Sequence, residues 1–212
     1  MPTEPLEDLI RFFEQAADVL LDRFKAPEPS APPYDQSCPP LHHDGRDFLG
    51  NQLQVTWDDF AQRLIATCVR GNQMSLGGTF IAPIPGSDTP ATARILVQTT
   101  AKDVAKQLGD PYPVWHSAAH LSLIAERLLD GTLPSLKIIL GSLSTLSELS
   151  RYRNYVFHPS ASNRAKALAV AAERGRPGTV IGDLLASQGS NGILLFEDWV
   201  RELQTGARNA AQ

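Results

Sequence analysis

Residues Pro134 to Pro159 read PSLKIILGSLSTLSELSRYRNYVFHP, and this stretch decides the fold class. Leu136, Ile139, Leu143, Leu146 and Leu149 recur three and four residues apart, the spacing that lines one face of a helix rather than of a strand. Proline fits the first helical position, where its missing N–H is not needed. A second proline after His158 stops the helix, because the residue before proline is pushed out of the α region. The pattern predicts one long helix from Pro134 to the neighbourhood of His158.

The same period extends in both directions. Downstream, Ala165 to Ala172 is rich in the best helix former, and Phe196 to Leu203 is amphipathic. Upstream, Val114, Ala118, Leu121, Ala125 and Leu128 predict a helix from Pro111 that Gly131 ends. Thr56 followed by Asp59 resembles a capping box, with Trp57, Phe60, Leu64 and Cys68 as the apolar stripe of a helix stopping at Gly71. Near the start, Thr3 is placed to cap a helix carrying Leu6, Ile10, Phe13, Ala17, Leu20 and Phe24. Residues 79–99 support two readings. The β-branched clusters around Pro85-Gly86 suggest a small hairpin, whereas Pro90 opening a helix to Leu108 puts Val97, Ala101, Val104 and Leu108 on one face, and the helix is preferred. Prolines crowd residues 26–50, which read as a long loop. The expectation is an all-α bundle of about six or seven helices forming a single domain over 1–212.

Composition sets further bounds. Apolar residues make up 42% and charged residues 20%, so collagenous, wholly disordered and disulfide-scaffold classes are excluded. Cys38 and Cys68 are too few for a disulfide framework or a four-cysteine zinc site, which fits a cytoplasmic protein. No apolar run approaches the length of a membrane span, and the acidic N-terminus is unlike a secretory signal. The net charge of −4 gives no general attraction to nucleic acid. Charge is nonetheless uneven. From Arg151 to Arg176 six basic residues face one acidic residue, a local +5 that leaves −9 on the rest of the chain. That segment is where RNA would be held, with Arg151, Arg164 and Lys166 as candidate phosphate contacts. The plainer reading is that these cations solvate an exposed face.

Within it, Arg153, Asn154 and His158 form an R-N-x-x-x-H arrangement. Asn154 and His158 share a helix face, while Arg153 lies about 140° from His158 on an ideal helix. Convergence therefore needs His158 at the helix end, where Pro159 puts it. A histidine near its ordinary pKa serves as general acid or base, and an arginine fork holds phosphate. RNA brings its own nucleophile in the 2′-hydroxyl, so such a site requires no metal and no cofactor. One motif histidine per chain is one proton-transfer group short, and a two-fold homodimer would supply the second.

The arrangement resembles the catalytic signature of the HEPN superfamily of helical RNA-cleaving proteins. The resemblance implies a HEPN-like core over about residues 100–206, a homodimeric metal-independent endoribonuclease with Arg153, Asn154 and His158 as catalytic residues, and the setting of a toxin or antiviral defence effector. An antitoxin or regulatory protein is then an expected partner. Antitoxin-paired members carry a tyrosine two residues after the histidine, and here that residue is Ser160. The alternative is a catalytically silent HEPN-like module that binds RNA or a protein partner. Other constellations are weaker. His116 and His120 have the spacing of two zinc ligands but lack a third. His42, His43 and Asp44 are adjacent loop residues whose side chains point apart more often than together.

Overall fold

The computed structural model describes residues 5–26, 47–176 and 178–212. It is an all-α bundle with one small hairpin. Among the described residues there are eight α-helices: α1 (Leu6–Lys25), α2 (Asp47–Arg70), α3 (Pro90–Leu108), α4 (Ala118–Leu129), α5 (Pro134–Gly141), α6 (Ser144–Phe157), α7 (Ala161–Glu173) and α8 (Leu195–Ala210). Strands β1 (Gln73–Met74) and β2 (Phe80–Ile81) pair antiparallel between α2 and α3, with Gln73 opposite Ile81. None of the described helices is long and apolar enough to cross a membrane. The expected proline-rich loop falls largely outside the described residues, as do Thr3, Cys38, His42, His43 and Asp44.

α1 is amphipathic, burying Leu6, Leu9, Ile10, Phe13, Ala17, Leu20 and Phe24 along one stripe. Phe13 packs on Trp57 and Phe60 of α2 with ring centroids 5.6 and 4.7 Å away. α8 buries Leu195, Phe196, Trp199, Val200, Leu203 and Ala207, and packs against α1, α5 and α6. Its Phe196 meets Phe24, while Trp199 takes the edge of Tyr152 from α6 at 5.9 Å. α2 and α6 approach closely at Gly50, where an added Cβ would lie 2.9 Å from the Tyr152 ring.

Four boundaries differ from the sequence reading, each for a visible reason. α2 begins nine residues before Thr56, so Thr56 is not a cap; its hydroxyl donates back to the Gln52 carbonyl at 2.8 Å inside the helix. The hairpin uses 73–74 and 80–81 rather than spanning 79–99. Residues 90–108 are helix α3, capped by Thr89, whose Oγ1 accepts from the Thr92 N–H, and opened by Pro90. α4 starts at Ala118, not Pro111, because Ser117 takes the cap position. The long helix expected from Pro134 is broken into α5 and α6 at Ser142 and Leu143. Leu143 leaves the helical region (ψ 87°) and seats its side chain over Gly206 of α8, where a Cβ would stand 2.7 Å from Leu143 Cδ2. The break keeps α5 and α6 both in contact with α8.

Candidate functional site at the α6–α7 corner

α6 and α7 form a tight antiparallel pair, and the R-N-x-x-x-H segment lies at their closed end. α6 ends at Phe157. His158 is its C-cap, with φ −134° and ψ 68°, and its N–H still donates to the Asn154 carbonyl at 3.0 Å. Pro159 prevents continuation, and Ser160 caps α7 by accepting the Asn163 N–H on its hydroxyl at 3.1 Å. The Asn163 side chain locks the corner, donating to the carbonyls of His158 at 2.7 Å and Asn154 at 3.2 Å. The backbone that carries His158 is thereby fixed while its side chain faces solvent.

Arg153 is half-buried with its guanidinium over the Phe157 ring, 5.5 Å from the centroid. Phe157 in turn meets Phe48 of α2 edge-on at 6.4 Å. Among the described residues Arg153 has no carboxylate partner, the Asn154 side chain is exposed and makes no hydrogen bond, and no hydrogen bond joins Arg153 to His158. Arg164 and Lys166 are exposed on α7 without ion-pair partners among those residues. Of the apolar neighbours, Tyr152 is fully buried, Tyr155 and Val156 pack on the core, and only Phe157 is exposed. Of these four residues only Phe157 thus offers exposed apolar surface to a second copy.

Half of the basic segment is neutralised from within the fold. Arg151 makes a two-pronged pair with Glu173, at 2.8 and 2.6 Å. Arg174 is held between two carboxylates. Its Nε donates to both oxygens of Glu148 at 3.0 Å, and its two terminal nitrogens bond Glu202. Thr145 also donates to Glu202, and the buried Trp199 indole donates to Glu148 at 2.7 Å. Hydrogen bonds to Glu202 and then to Glu148 raise the Arg174 pKa well above its ordinary value despite burial. Burial pushes the Glu202 carboxyl up, but Arg174 and Thr145 together outweigh it and hold it below 4.5. Arg176 is buried and donates to the Ser187 and Ile193 carbonyls and to Asp198, tying down residues 187–193. Glu148 and Glu202, which sequence reading did not single out, are therefore the partners that give this segment its structure. The one available signal was a glutamate set between Leu146 and Leu149 of the helical apolar stripe.

The histidine pair at 116 and 120 is occupied by carboxylates instead of a metal-like cluster. His116 Nδ1 lies 3.2 Å from Asp58, and His120 Nε2 lies 3.2 Å from Asp110. No group of three or more potential ligands gathers among the described residues. His120 is 3% exposed, and neither ring nitrogen is aligned for a hydrogen bond. Burial lowers its pKa, Asp110 opposes that shift, and His116 adds to it.

No family model, curated protein or solved structure matches this chain.

Proposed function

We propose that the chain is a metal-independent endoribonuclease acting at the α6–α7 corner as a homodimer. The observation that carries this reading is the sorting of cations: Arg151, Arg174 and Arg176 are consumed by internal carboxylates, whereas Arg153 remains unpaired among the described residues, five positions from an exposed His158. Arg164 and Lys166 extend the uncompensated charge along α7. One His158 takes the proton of the ribose 2′-hydroxyl as its oxygen bonds to phosphorus. The P–O5′ bond breaks, and the partner's His158, protonated, gives its proton to the departing 5′-oxygen. Arg153 carries the added negative charge of the phosphorane, and Asn154 orients His158 one turn along. An activity of this kind fits a toxin or defence effector that a second protein holds in check.

The test is incubation of purified protein with total RNA in EDTA, wild type beside His158→Ala. Cleavage by the wild type should leave 2′,3′-cyclic phosphate and 5′-hydroxyl ends. His158→Ala should lose about 10²- to 10⁴-fold in rate while RNA binding is nearly retained. Cleavage that needs added magnesium refutes the mechanism. A second reading, a silent module that binds RNA, is favoured by the absence of a hydrogen bond between Arg153 and His158. It predicts binding that weakens in Arg164→Ala and Lys166→Ala without any strand scission.

A further inference from the structure

A second basic feature lies away from the α6–α7 corner. α2 and α3 enclose a groove of about 400 Å³, a size that suits a small organic ligand. Its lining repeats at helical spacing: Arg63, Ala66 and Arg70 come from one face of α2, Arg94, Val97 and Gln98 from one face of α3. Asp59, the acidic side chain of this lining, is held by Arg63 at 3.2 Å. Arg70, half-buried, and Arg94, exposed, have no ion-pair partner among the described residues, so the groove carries two uncompensated positive charges. Two other arginines near the core, Arg174 and Arg176, are by contrast neutralised by carboxylates.

The rest of the lining is not what a bare anion site needs. Exposed Pro90 and half-buried Ala66 give apolar surface. Gln98 donates to Gln62 across the groove at 2.9 Å, which leaves the Gln62 amide hydrogens and the Gln98 carbonyl as an adjacent donor and acceptor. We infer that this groove binds an organic phosphate of nucleotide size, its phosphate held by Arg70 and Arg94 and its uncharged body lying on Pro90 and Ala66 beside the glutamine pair. The two arginines supply planar forks matched to phosphate oxygens. The site is independent of the RNA-cleavage reading, since none of its residues belongs to the α6–α7 corner.

Calorimetric titration of the full chain with adenosine and guanosine 5′-monophosphate, and separately with inorganic phosphate, tests this. The expected result is saturable binding of a nucleoside monophosphate at one site per chain, tighter than inorganic phosphate. Arg70→Gln and Arg94→Gln should each weaken it about tenfold or more, the loss of one charge-assisted fork, and Arg94→Lys should fall between. Arg164→Gln on α7 should leave it unchanged. The circular-dichroism melt of each variant confirms folding. Equal affinity for inorganic phosphate overturns the organic body. Unchanged affinity in both glutamine variants, or no binding to the wild type at millimolar nucleotide, overturns the site. Binding of oligoribonucleotides alone, with a steep salt dependence, assigns the groove to RNA backbone and also overturns it.

Discussion

Replacing Glu148 with alanine should be among the most damaging single changes in this chain. The Glu148 side chain is almost wholly buried and accepts from Trp199 Nε1 at 2.7 Å and from the single Nε–H of Arg174, which its two oxygens share at 3.0 Å. Truncation strands the indole N–H in the core, a cost of about 1–3 kcal/mol. Breaking a buried ion pair from one side costs about 3–5 kcal/mol when the other charge is left uncompensated. Arg174 keeps Glu202 and Thr145, so the lower end applies, and the two effects overlap in one site. The expected loss is about 3–4 kcal/mol, or a Tm lowered by about 6–16 °C for a chain of this size. Glu148→Gln keeps an acceptor for Trp199 but loses the charge, and should cost about 1–2 kcal/mol. Urea denaturation followed by tryptophan fluorescence reads both. In a double-mutant cycle, Glu148→Ala with Trp199→Phe should show coupling of about 1 kcal/mol. A Glu148→Ala protein within 1 kcal/mol of wild type would refute the view that this network joins α6, α7 and α8.

Other outcomes follow from the same geometry. Stability should fall as pH drops below about 6.5, because the unfolded chain protonates His120 before the folded one does; His120→Gln should flatten that part of a pH series of urea midpoints. A second loss should begin near pH 4.5 and continue downward, since Arg151 holds Glu173, Lys25 holds Glu197 and Arg174 helps hold Glu202 below the ordinary carboxylate value. Gly50→Ala should destabilise by about 1–2 kcal/mol despite alanine's better helix propensity, because the new Cβ meets the buried Tyr152 ring; a stabilised variant in thermal denaturation would show that α2 and α6 can spread. In filter binding, Arg151→Ala should lower RNA affinity less than Arg164→Ala, because Glu173 already neutralises Arg151; equal losses would mean that the Arg151–Glu173 pair opens on RNA.

The helices were legible where the signal is local. The stripe from Leu6 to Phe24 and the Pro90 start of α3 depend on neighbours within two turns, and periodicity reads such neighbours directly. The break at Leu143 was not legible, because its cause lies 63 residues away at Gly206, where a missing side chain makes room for the leucine. Thr56 misled for a related reason. Its hydroxyl finds a partner four residues back inside a helix as readily as it finds one at a helix start, and the apolar period upstream of Thr56 is weak.

Charge shows the same division more sharply. A window along the sequence adds up neighbours in the chain, but an ion pair is made between neighbours in space. The window from Arg151 to Arg176 gives a local +5 because Glu148 lies three residues before it and Asp198 and Glu202 lie 22 and 26 residues after it, and those three residues are the ones that hold Arg174 and Arg176. The surplus available to a ligand there is the part the fold did not use, namely Arg153, Arg164 and Lys166. The converse holds at the α2–α3 groove. Arg70 and Arg94 stand 24 positions apart in the chain, with Asp88 between them, and no window marks them as a cluster, yet two helices bring them to one groove without a counter-ion among the described residues. An arginine that the fold leaves unpaired beside partly buried apolar surface stands where a bound anion would supply the missing countercharge. By that criterion the α2–α3 groove is as strong a candidate for ligand binding as the corner that the motif selected.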